Sequence, residues 1–148
     1  MSRIMHSYAL AVAFVASATV ATAAPAAAGT SNPCAVVTVA EASTAMGVAS
    51  LPGKPHAGRS GSSCRYYSAD HTKNVFVQTT DAGTMTGAAQ FGAKPVPGIG
   101  DKALWAGGTM FVKKGANYMQ VALYRNKASL EKMDPAIVPL AKTAASRM

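Results

Sequence analysis

The sequence predicts an α+β domain: an antiparallel sheet of about five strands with N-terminal and C-terminal helices packed on it and one disulfide. Three observations point to this. A capping box, Thr38-Val39-Ala40-Glu41, opens a short stretch of helical periodicity. Runs of β-branched and aromatic residues follow, punctuated by glycine turns. An Asp134-Pro135 start then leads into an apolar stripe at helical spacing.

In the capping box the Thr38 hydroxyl can accept from the amide of Glu41 while the Glu41 carboxylate reaches back to the amide of Thr38. Val37 and Ala42 stand where a hydrophobic staple would. Val39, Ala42 and Met46 share one stripe and Gly47 supplies the stop, so a helix is expected over 39–46. Residues 48–62, rich in Gly, Pro and Ser, read as a surface loop. Residues 64–69 and 74–80 carry Tyr66, Tyr67, Val75, Phe76 and Val77 and read as two strands joined at Asp70-His71-Thr72. Asp81-Ala82-Gly83 ends the second of them. Residues 84–91 can form a helix, weakened by Gly87.

The run Lys94-Pro95-Val96-Pro97-Gly98-Ile99-Gly100-Asp101 reads as a shaped turn. Residues 103–106 and 109–113 then flank Gly107-Gly108, a two-residue hairpin pattern. Residues 118–125 form a last strand, in which Met119, Val121 and Leu123 alternate with Tyr118, Gln120 and Tyr124. A short turn is expected near 129–133. In the final helix Asp134 is the N-cap and Pro135 the first helical residue, with Ile137, Leu140, Ala141, Ala144 and Met148 on one face and Lys142 and Arg147 toward its C-terminal end.

Ahead of this domain stands what reads as a secretory signal. Arg3 and His6 precede an uncharged run, Tyr8 to Val20, and two small-residue sites with A-x-A spacing follow. Cleavage after residue 23 or after residue 28 fits. The apolar run falls short of the ~20 residues that span a bilayer, and no cysteine at either site offers a lipid anchor. Residues 24–32 read as a flexible linker, and residues 33–148 as a single domain. The expected location is secreted or periplasmic, with no integral membrane anchor after cleavage. An exported chain meets an oxidising compartment, so Cys34 and Cys64 are most simply a disulfide. A metal pair or a reactive thiol is the competing reading, but companion ligands and a C-x-x-C spacing are both missing.

Three motifs together resemble a broad, functionally uncharacterised class of small exported bacterial domains. They are Pro33-Cys34 followed by the capped helix TVAEASTAMG, Cys64-Arg65-Tyr66 opening a strand, and Pro97-Gly98-Ile99-Gly100-Asp101 before a hairpin. The resemblance covers most of residues 33–145. It implies a fold in which the cysteines join the first helix to the first strand, and it implies no activity. Many members of that class are lipoproteins, a pattern this sequence departs from.

Charge bounds the partners. Fourteen Lys and Arg against six Asp and Glu give a net charge of +8, of which the leader holds only Arg3. Such a balance draws a protein toward polyanions. Outside a cell these are envelope polymers and lipid headgroups, and nucleic acid is not expected. Lys113-Lys114 at a hairpin end is a candidate contact for an anionic partner, and equally a guard against edge pairing. Trp105, with Tyr66, Tyr67, Tyr118 and Tyr124, either lines a binding face or belongs to the core and its rim. Gly98, Gly100 and Asp101 offer a ligand pocket under the proline–glycine turn, although Gly98 after Pro97 is better read as the positive-φ residue of a type II turn.

Catalytic patterns are incomplete. Gly58-Arg59-Ser60-Gly61 lacks the nucleophile-elbow spacing. His56 and His71 with Asp70 or Asp101 are sparse material for a triad or a metal site. No catalytic residue, metal ligand or cofactor is assigned, and the sequence leans away from an enzyme without deciding the matter. The expectation is a non-enzymatic exported binding or accessory domain whose ligand is unknown. Its partner would be an envelope polyanion or a protein. The alternatives are a small secreted hydrolase using His71 or His56, or a small-molecule or metal-binding protein.

Overall fold

A computed structural model describes residues 32–58, 61–126 and 128–148. The expected signal, both its cleavage sites and all of the expected linker except Asn32 lie outside the described residues. In chain order the elements are α1 (Pro33–Val36), α2 (Val39–Met46), β1 (Lys54–Gly58), β2 (Gly61–Tyr67), β3 (Asn74–Thr80), α3 (Ala82–Gln90), β4 (Lys94–Pro95), β5 (Lys102–Ala106), β6 (Thr109–Lys114), β7 (Asn117–Tyr124), α4 (Ala128–Glu131) and α5 (Ile137–Ser146).

The expected class holds, but the sheet has seven strands instead of about five, in the order β1-β2-β3-β7-β6-β5-β4 and antiparallel throughout. One of the additions is β1, which lies inside the expected loop at 48–62. Its Gly and Pro content argues against a strand, yet pairing from Lys54↔Arg65 to Gly58↔Gly61 supplies the order that propensity lacks. The other is β4, two residues of the proline-rich turn paired with Trp105 and Leu104. β3 and β7 meet at the centre although some 40 residues separate them, because α3 carries the chain to the far edge and β4 to β7 return as a meander.

Alternation sorts the side chains. Cys64, Tyr66, Val75, Val77, Trp105, Met110, Val112, Met119, Val121 and Leu123 face one side of the sheet, where α1, α2 and α5 cover them. α2 contributes Ala42, Ala45 and Met46, and α5 contributes Ile137, Leu140, Ala141, Ala144 and Ala145. Val39, expected on the buried stripe, is 40% exposed; it is the first helical residue and turns to solvent. On the other side Leu104 and Ala122 are also buried, outside that core, where α3 with Met85 lies against β5 and β6. The half of this second face made by β1, β2 and β3 carries no helix among the described residues.

The capping box forms as expected, with Thr38 N–H donating to Glu41 Oε2 at 2.8 Å and Glu41 N–H donating to Thr38 Oγ1 at 3.2 Å. Glu41 also accepts from Arg147 at 2.7 and 2.8 Å, and the same guanidinium donates to the Val36 carbonyl. Arg147 thus fastens the far end of α5 to the α1–α2 corner rather than capping its own helix. Arg125 donates to the Ala45 carbonyl at 3.2 Å and Lys73 to the Met46 carbonyl at 3.4 Å, placing two cations at the negative end of α2. Arg125 also pairs with Asp134 at 2.9 Å. Asp134 does not cap α5 as expected: it closes a turn before the helix, accepting from the Ala136 amide. α1, which no periodicity announced, is one turn capped by the Asn32 side chain, so Asn32 belongs to the fold rather than to a linker. α3 starts two residues earlier than expected because Asp81 caps it through the Thr84 amide.

Cys34 and Cys64 are joined, with no free cysteine remaining. The bond ties α1 to β2 beside Tyr66, whose hydroxyl donates to the Cys34 and Val37 carbonyls and whose phenol pKa is raised by burial. Two predictions follow from these ties. Replacing both cysteines by alanine removes a link of sequence separation 30, and urea denaturation is expected to show a loss of about 3 to 4 kcal/mol on the chain-entropy account. The second concerns acid. Arg147 and the Thr38 amide hold Glu41 at about 2 instead of 4.5. The folded carboxyl binds its proton less readily than the unfolded one, so this contribution is complete above pH 4.5 and lost as pH falls toward 2. Glu41→Gln flattens that part of the stability–pH curve. Asp70, held at about 2 by Ser68 and Thr72, supplies slope that remains.

Candidate ligand-binding face

The seven strands contain six cations, Lys54, Arg65, Lys94, Lys102, Lys113 and Lys114, and no Asp or Glu. Every carboxylate of the chain sits in a helix or a turn. Several of them are occupied: Glu41 by Arg147, Asp134 by Arg125, Asp81 by the cap of α3, and Asp70 by Ser68 Oγ, Thr72 N–H and Thr72 Oγ1.

Register concentrates this charge. Lys54 on β1 lies directly opposite Arg65 on β2, and Lys102 on β5 directly opposite Lys113 on β6. Like charges in cross-strand positions destabilise a sheet, and both pairs fall on the face opposite the main core. Arg65 is held in place. Its guanidinium lies 4.7 Å from the Phe76 ring centroid and 6.0 Å from that of Tyr67, and it donates to Tyr67 Oη at 3.3 Å. Phe76 is its cross-strand neighbour on β3. No carboxylate among the described residues pairs with Lys54 or Arg65. Lys54, His56, Ser63, Arg65 and Tyr67, with Pro55, line a cleft of about 490 Å³ there. Beside it the Tyr67 ring meets His71 at 5.0 Å, and Gln120 Nε2 donates to Gln78 Oε1 at 3.3 Å.

Of the residues singled out in the sequence, Tyr67 and His56 line this cleft, and the others lie elsewhere. Trp105 is 8% exposed and points into the main core, so it lines no binding face; its indole N–H is buried without a partner among the described residues. Tyr66 is buried too, whereas Tyr67, Tyr118 and Tyr124 lie half-buried on the opposite face. Lys113 and Lys114 end β6, and Lys114 approaches Asp101 at 3.9 Å with both side chains exposed. Asp101 accepts from the Gly115 amide at 2.6 Å, and its own amide donates to the Lys113 carbonyl at 2.8 Å. The proline–glycine loop is therefore bound to the β6–β7 turn. It encloses a shallow hollow of about 390 Å³ lined by its own residues, with Ile99 buried beneath.

Gly98 and Gly100 both have positive φ, +77° and +55°. They differ in surroundings: a Cβ at Gly98 would meet open space, while one at Gly100 would run into the Lys113 carbonyl. Asp70 spends its carboxylate on Ser68 and Thr72, and no three His, Cys, Asp or Glu among the described residues group as a metal site would. No described helix is long and apolar enough to cross a membrane. Lys54 and Arg65 escaped the sequence reading as binding residues, Lys54 because it fell in an expected loop; His56 was read only as sparse material for a triad or a metal site. Arg65 did carry a signal, its alternation with Cys64 and Tyr66.

Fold and face together define an α+β domain with a half-covered, cationic antiparallel sheet. Comparison of the chain with protein-family models, with curated proteins and with solved structures finds no match. The two glycines give a test: Gly98→Ala is expected to cost about 1 kcal/mol from backbone strain alone, and Gly100→Ala at least twice that, because the clash with the Lys113 carbonyl adds to it. Thermal or urea denaturation reads the difference.

Proposed function

We propose that this chain is an exported, non-enzymatic binding domain whose cationic sheet face holds an anionic component outside the cytoplasm. The observation that carries the reading is the single sign of the sheet's charge: six cations in the strands, two like-charged cross-strand pairs and no carboxylate among them. Such pairs cost stability in the free protein and return it when an anion neutralises them. Export is supported by the leader pattern and by the disulfide, which persists in oxidising compartments. The resemblance to small exported bacterial domains agrees with both. A polymer of repeating negative charge, such as an anionic envelope glycan, suits two cationic sites on one face.

A heparin column or a fluorescent polyanion tests this. The wild-type domain is expected to bind with an affinity that falls steeply as salt rises. Lys54→Glu with Arg65→Glu should weaken binding by about tenfold or more, a change of ~1.4 kcal/mol. Lys132→Glu with Lys142→Glu, which makes the same charge change just after α4 and on α5, should weaken it much less. Equal losses in the two variants would mean that net charge, not this face, does the binding.

A further inference from the structure

We infer that the cleft on β1 and β2 is a subsite for a sugar phosphate, with Lys54 and Arg65 taking the phosphate and Tyr67 the ring. This inference rests on the polyanion reading and narrows it to one site and one chemical class. Its starting point is that Arg65 is set before any ligand arrives. Phe76 supports one face of the guanidinium, the Tyr67 hydroxyl accepts from Nη1, and the cross-strand neighbour on the remaining side is Lys54.

A planar fork fixed beside an ammonium suits an oxyanion, because the fork offers parallel N–H groups and the ammonium adds a mobile point charge. Two uncompensated cations favour an anion of more than one charge. A phosphate monoester, at about −1.5 to −2 near pH 7, meets that demand where a carboxylate supplies only −1.

The rest of the cleft is neither charged nor simply apolar. Its remaining lining is Pro55, His56, Ser63 and Tyr67. Tyr67 is half-buried and braced by the His71 ring at 5.0 Å. An aromatic edge with hydroxyl and imidazole groups nearby can take a ring that has an apolar face and a hydroxylated rim. The volume, about 490 Å³, falls in the range of small-molecule sites and exceeds what a bare phosphate needs.

The cleft also has a firm floor. Cys64 and Tyr66, on the other side of β2, are pinned by the disulfide and by the hydrogen bonds of the Tyr66 hydroxyl. A rigid strand holds the spacing of Ser63, Arg65 and Tyr67, so little order need be created on binding.

The experiment titrates the ¹⁵N-labelled full domain with glucose 6-phosphate, inorganic phosphate and glucose, each alone. The expected result is shifts confined to residues around Lys54, Ser63, Arg65 and Tyr67. Glucose 6-phosphate should bind at least tenfold tighter than phosphate, and glucose should leave the spectrum unchanged. Arg65→Ala should abolish the response and Arg65→Lys restore it only in part, while Tyr67→Ala should bring glucose 6-phosphate down to the level of phosphate. The spectrum of each free variant reports whether its fold is kept.

Equal binding of glucose 6-phosphate and phosphate, or shifts centred on another surface, overturns the inference. If heparin binds and depends on Lys54 and Arg65 while glucose 6-phosphate does not bind, the sugar-phosphate subsite fails and the polyanion reading stands. If neither binds, both fail. A further arm uses phosphatidylcholine vesicles containing phosphatidylinositol 4-phosphate. Retention on them, displaced by glucose 6-phosphate, supports the subsite with a lipid headgroup as its source. Solution binding without retention supports it with a free or polymer-borne group.

Discussion

The pairing of β3 with β7, from Asn74↔Tyr124 to Thr80↔Tyr118, joins the two halves of the sheet, and its register decides what every other strand presents. With Val75 opposite Leu123 and Val77 opposite Val121, the apolar residues of both strands meet α2 and α5. A slip by one residue would send Phe76, Gln78 and Gln120 under the helices and push the valines into water. β2 follows β3, so the same register turns Cys64 toward α1 and Arg65 away from it. Disulfide and cationic cleft are thus consequences of one alignment, set on opposite sides of one strand.

Around that seam the helices are fastened by a few cations placed with economy. Arg147 serves the capping box and the Val36 carbonyl together, while Arg125 serves the end of α2 and Asp134. Basic residues on the helical side thus meet carbonyls and carboxylates. On the open half of the sheet Arg65 lies against the Phe76 and Tyr67 rings, and no carboxylate among the described residues pairs with it or with Lys54. The contrast separates cations that fasten helices from cations without an acidic partner among the described residues.

Much of this was legible in the residues. The capping box, the Gly107-Gly108 hairpin, the alternation of Met119, Val121 and Leu123 and the stripe of α5 are local patterns, and local patterns survive folding. What could not be read was pairing. β1 is made of Lys, Pro, His, Ala and Gly and is a strand only because β2 lies beside it. β4 is two residues long, and α1 is a single turn, too short to show a period. The candidate site was missed for the same reason, since Lys54 and Arg65 are eleven residues apart and become neighbours through register alone. For Trp105 the residues left a binding face and the core both open, and its parity with Ala103 decides for the core.

The absence of carboxylates from the strands has one more consequence. Tyr67 and Phe76 leave aromatic surface on a sheet half that carries no helix among the described residues, the kind of surface on which identical sheets stack and precipitate. Bringing two such faces together would strip water from Lys54 and Arg65 on both partners with no opposite charge to receive them. Mutual repulsion therefore acts as a gatekeeper. It opposes the close approach of two copies of the domain through this face.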